Sequence, residues 1–76
     1  MNKQRRKRLS EISDILSGCS CDLEELLYEE NEAIGNLPES LQESKRAENM
    51  LNKAGNIEEA INTLQDVIGY ISEAMD

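Results

Sequence analysis

Gly35-Asn36-Leu37-Pro38-Glu39-Ser40 interrupts a chain that is otherwise periodic, and this stretch decides the fold. Glycine suits the left-handed position that closes many helices, and Pro38 follows where a helix has already stopped. Pro38 also drives Leu37 toward an extended backbone. Ser40 and Glu43 have the spacing of a capping box, and Ser44 is a second candidate cap for the helix that follows. The segment 35–43 therefore reads as a turn between two helices.

Working outward from the turn, each flank carries apolar residues at alternating spacings of three and four. Upstream, the track is Leu9, Ile12, Leu16, Cys19, Leu23, Leu26, Glu30 and Ala33, with Glu30 the one acidic interruption. Downstream it is Ala47, Met50, Ala54, Ile57, Ile61, Leu64, Ile68, Ile71 and Met75. Such spacing puts the apolar residues on one face of a helix, in the a/d pattern of a coiled coil. The chain end repeats with a period of seven (Asn56–Asn62, Thr63–Gly69, Tyr70–Asp76), which keeps Ile57, Leu64 and Ile71 in register. Two helices, 3–34 and 44–75, follow, each about 48 Å long at about 1.5 Å per residue. Helices of matched length joined by a short connection pack antiparallel. The expected fold is all-α, one antiparallel coiled-coil-like hairpin over 1–76. Gly55-Asn56 is the weakest point of the second helix, and a break there would give three helices.

Both helices are apolar beyond a two-position seam. Ala60, Val67 and Ala74 flank the second track; Ile15, Leu27 and Ile34 flank the first. A face of three apolar positions per heptad suits a helix with several neighbours, whereas one hairpin supplies a single neighbour. Pairing into a four-helix bundle homodimer would cover these flanks. At 76 residues the chain also lies in the size range where a lone core is marginal.

Composition narrows the function. Phe, Trp and His are absent, so helix is favoured over strand and no imidazole is present for catalysis or metal binding. Cys19 and Cys21 point about 200° apart on a helix and cannot clamp one ion; Cys19 falls on the seam and reads as a small buried apolar residue, and Cys21 as an outward free thiol in a reducing compartment. The carboxylates lie mostly on outward positions, where nothing converges to shift their pKa values. Without a nucleophile–base set or a glycine-rich phosphate loop, an enzyme is not expected, nor is a cofactor. No apolar run has the length to span a bilayer, and the basic start leads into an amphipathic stretch rather than a signal-peptide core. A cytoplasmic protein is the expectation.

The net charge of −8 conceals an asymmetry. Lys3, Arg5, Arg6, Lys7 and Arg8 hold five of the eight basic residues, and from Leu9 onward three basic residues face sixteen acidic ones. That body repels nucleic acid and favours a basic partner. Glu24, Glu25, Glu29 and Glu32 are the candidate charges for such a partner, with Leu37, Pro38 and Leu41 at the turn supplying specificity. In a hairpin the five N-terminal cations come beside Glu73 and Asp76, and Lys45 and Arg46 beside Glu29, Glu30 and Glu32, with Glu30 pairing with Arg46. The competing reading makes Lys3–Arg8 an anion site for nucleic acid, or for a small signalling nucleotide held at an oligomer interface.

The string Asn36–Arg46 (NLPESLQESKR), together with the basic start Asn2–Arg8 and the EEAI-type heptads after Gly55, resembles a family of small uncharacterised helical proteins of phages and prophages in Gram-positive bacteria. Members share a basic opening, an acidic helix, an NLPE-type turn and a heptad-rich second helix. They commonly lack the Gly18-Cys19-Ser20-Cys21 stretch. The acidic body, a polyanion mimic for a basic groove, and the apolar flanks point to binding and inhibition of a host defence or nucleic-acid-handling protein; the resemblance implies a non-enzymatic accessory protein in the cytoplasm of the host cell that interferes with a host protein. It carries no catalytic residues.

Overall fold

The computed structural model describes all residues, Met1–Asp76. Helix α1 spans Lys3–Gly35, a single 3₁₀ turn spans Glu39–Leu41, and helix α2 spans Lys45–Met75. The two long helices pack against each other as an antiparallel hairpin measuring 59 × 14 × 12 Å over its Cα atoms. The all-α hairpin expected from the heptad tracks is the fold observed.

Each helix begins on a side-chain cap. Asn2 Oδ1 accepts from the Arg5 backbone N–H at 2.8 Å, which satisfies one of the free donors at a helix start whose first turn holds no acid. Ser44 caps α2: its Oγ accepts from the Ala47 N–H at 3.2 Å and donates to the Leu41 carbonyl at 2.6 Å. Of the two candidate caps it is therefore Ser44 that acts, while Ser40 lies inside the 3₁₀ turn.

The turn closes without a left-handed residue, contrary to the role expected of Gly35. Gly35 is the last residue of α1, and no residue of the chain has a positive φ. Asn36 ends the helix instead, at φ −91° and ψ 0°, its N–H donating to the Glu32 carbonyl at 3.0 Å. Successive short-range bonds then turn the chain: Leu41 N–H to Pro38 O at 2.8 Å, Gln42 N–H to Glu39 O at 3.3 Å and Ser44 N–H to Leu41 O at 3.1 Å. Gln42 Nε2 donates to the Leu37 carbonyl at 3.0 Å and ties the two ends of the turn together.

No break occurs at Gly55-Asn56, where α2 is continuous. One glycine costs about 1 kcal/mol relative to alanine, a deficit that a helix of nine turns buried along one face absorbs.

The seam of α2 is the expected one, residue for residue. Ala47, Ala54 and Ile61 are buried, and Met50, Ile57, Leu64, Ile68, Ile71 and Met75 are half-buried. The seam of α1 differs. Leu9, Leu16, Leu23 and Glu30 lie on it as expected, but the alternating positions are Ser13, Ser20, Leu27 and Ile34. Ile12, Cys19, Leu26 and Ala33, expected there, are exposed. The stripe that packs is rich in small residues, Ser13 and Ser20 on α1 and Ala47 and Ala54 on α2, which suits the close approach of two helices.

Candidate interaction surface

The shifted seam divides the hairpin into two unlike sides. In an antiparallel pair, corresponding seam stripes of the two helices fall on the same side of the plane through both axes. One side carries Ser13, Ser20, Leu27 and Ile34 with Ala47, Ala54, Ile61 and Ile68. It contains every fully buried residue of the molecule: Ser20, Ala47, Ala54 and Ile61. Small side chains let the helices close there. Beyond this stripe run Ser10, Ser17, Glu24 and Asn31, and Leu51, Glu58, Gln65 and Ser72, which is a mainly polar border.

The opposite side stays open. Its seam stripes hold the larger residues Leu9, Leu16, Leu23, Met50, Ile57, Leu64 and Ile71, yet none is fully buried. The border beyond them is apolar as well. On α1 it consists of Ile12, Cys19, Leu26 and Ala33, one per heptad, with Ile15 adjacent; on α2 it is Ala60, Val67 and Ala74, with Tyr70 adjacent. Ile12 is 45% exposed, Ile15 66%, Leu26 52% and Tyr70 71%. The open side thus presents four stripes, two from each helix, that are apolar except at Arg5, Glu30, Arg46 and Lys53. Single exposed apolar residues are ordinary; a contiguous apolar side is the kind of surface on which protein contacts form.

The residues singled out for charge do not converge. Glu24, Glu25, Glu29 and Glu32 are all exposed, and at their heptad positions they spread over three stripes of α1. Glu30 is half-buried on the open side of the seam, and none of the side-chain hydrogen bonds joins it to Arg46 as expected. Arg46 leaves the seam for the flank of α2, in line with Lys53 and Ala60, and is exposed. At the turn, Leu37 is half-buried, Pro38 is exposed and Leu41 is 38% exposed, so a small apolar tip projects beyond the helix ends.

The basic cluster is divided between the two sides. Arg5 and Arg8 line a shallow open depression with Met1, Leu9 and Ile12, whereas Lys3, Arg6 and Lys7 line another with Gln4, Ser10 and Met75. A helix carries consecutive residues around its circumference, so five cations within six positions do not form one site. Cys19 and Cys21 are both exposed free thiols. Cys19 was expected to be buried; it borders the open side instead. No group of three or more His, Cys, Asp or Glu is placed to hold a metal ion. No helix is long and apolar enough to cross a membrane.

What the sequence left unseen is the two-sidedness itself. The signal was present, because Leu27 and Ile34 sit beside the apolar track of α1 and mark the stripe that packs within the hairpin. Compared with protein-family models, curated proteins and solved structures, the chain matches none.

Proposed function

We propose that this chain is a non-enzymatic protein-binding module whose open side is completed by helices of another protein chain. The observation carrying this reading is the border Ile12, Cys19, Leu26 and Ala33, which is apolar in every heptad although the hairpin packs through the neighbouring stripe. The acidic turn half, three basic against eleven acidic residues over positions 19–60, is the outward surface that would meet a basic protein. The resemblance of its turn motif to small phage proteins supports an accessory role directed at a host protein. A nucleic-acid role draws on the five N-terminal cations, and their division between two sides weighs against it.

The test is the Ile12→Glu/Leu26→Glu double variant, compared with the wild type by sedimentation and circular dichroism. Assembly in the wild type, lost in the variant together with much of the helicity, supports the reading. A wild type that is a stable monomer, and melts like the variant, contradicts it.

A further inference from the structure

We infer that the occupant of the open side is a second copy of this chain, laid face to face and end for end, so that the turn of each copy lies over the chain ends of the other. The inference rests on the reading of the open side as a binding surface, and it names the partner and its direction.

The surface area asks for a partner of this size. A compact monomer of 8.6 kDa exposes about 4,700 Å² by the usual mass scaling. The hairpin exposes 5939 Å². The surplus, about 1,200 Å² per chain, doubles to about 2,400 Å² in a pair of copies, within the range of obligate homodimers. A second hairpin of equal length is the occupant that covers four stripes running the length of the molecule.

The stripes are also centred on the helices that carry them. On α1 the border positions are Arg5, Ile12, Cys19, Leu26 and Ala33, and Cys19 is the midpoint of Lys3–Gly35. On α2 they are Arg46, Lys53, Ala60, Val67 and Ala74, and Ala60 is the midpoint of Lys45–Met75. A two-fold axis across the middle of the hairpin therefore returns each stripe onto itself. Cys19 meets Cys19 of the other copy, Ala60 meets Ala60, and Ile12 of one copy lies over Leu26 of the other. The small central side chains permit close approach at the crossing, and the surface is complementary to itself, as two-fold pairing requires.

Charge selects the direction. The half of the hairpin holding the chain ends (positions 1–18 and 61–76) has five basic and five acidic residues, a net of zero; the turn half has a net of −8. Packing turn over turn would gather −16 at one end, whereas packing end for end sets a neutral half against each acidic half. On the open side of α1, Arg8 and Glu30 lie at equal distances on either side of Cys19. End-for-end packing sets Arg8 of each copy beside Glu30 of the other, which supplies a partner for the one acid on the seam.

The experiment uses the full chain carrying Cys21→Ser, which leaves Cys19 as its only thiol, beside the converse Cys19→Ser. Sedimentation at micromolar concentration under reducing conditions gives the mass. Diamide then serves as oxidant, taking up the two electrons and two protons released as two thiols become a disulfide. End-for-end packing puts the α1 helices in contact, within the Cα separation of about 4.4–6.8 Å that a disulfide spans. Turn-over-turn packing puts them diagonally across the bundle, about 11–14 Å apart for neighbours at 8–10 Å. The expected result is a two-chain mass, with Cys19 linking two chains at least tenfold faster than Cys21 does in the converse variant. A two-chain mass with Cys19 linking no faster than Cys21 overturns the end-for-end arrangement and leaves the binding surface standing. Any other mass overturns the second copy as occupant. If that other mass is a monomer whose melting is unchanged by Ile12→Glu/Leu26→Glu, the binding reading falls with it.

Discussion

Ser20 shows how a single small side chain shapes this molecule. It is buried at 7% exposure on the closed side, the one polar residue of the chain that is buried. Its hydroxyl makes none of the side-chain hydrogen bonds and is not among buried atoms left unpaired, so the oxygen keeps access to water. Enlarging it should overpack the seam: Ser20→Leu is expected to lose about 1–3 kcal/mol in urea unfolding, while Ser20→Ala stays within about 1 kcal/mol of the wild type. Ser44 acts on the backbone rather than the core. Removing its cap with Ser44→Ala should cost about 1 kcal/mol by the same measurement. Gly18 offers the opposite sign. A Cβ built there meets nothing within 4 Å, so Gly18→Ala should stabilise α1 by about 1 kcal/mol. These three changes separate packing, capping and backbone entropy; Ser44 is distant from the other two and its effect should add to either, whereas Gly18 and Ser20 are neighbours on one helix and are compared as single variants.

At the scale of the element, α2 was legible along its whole seam and α1 only along half of it. The difference is physical. The apolar positions of α2 offer one choice of seam, because its closed-side stripe (Ala47, Ala54, Ile61, Ile68, Met75) is apolar throughout. In α1 two stripes compete beside Leu9, Leu16 and Leu23. Hydrophobicity favours Ile12, Cys19, Leu26 and Ala33 over a stripe that begins with Ser13 and Ser20, but small residues on the packed stripe let the two helices approach closely. Periodicity reports which residues avoid water and not which neighbour they avoid it against. The turn was legible in position, through Pro38 and Ser44, but its closure by Asn36 and Gln42 depends on hydrogen bonds that composition does not specify. The charge pattern of α1 carries its own test. With end-for-end packing, Arg8→Glu should weaken self-association at least tenfold, and adding Glu30→Arg should recover much of it, as sedimentation equilibrium would show. Failure of the second change to compensate the first would separate these two residues.

The whole molecule is a thin slab of two helices with its largest apolar residues half-wet along one side. Only three apolar residues are fully buried, and two of them are alanines. Burial at about 25 cal/mol per Å² gives little against the ordering of 76 residues when the core is this small, and the partner proposed for the open side would supply the balance. If the hairpin is half of a structure, its thermal unfolding, followed by circular dichroism over a hundredfold range of protein concentration, shows it most directly. With an unfolding enthalpy of about 0.7 kcal/mol per residue, assembly of two copies predicts a melting temperature that rises by roughly 10 °C from the lowest concentration to the highest. A fully helical chain whose melting temperature is the same at every concentration would contradict the account.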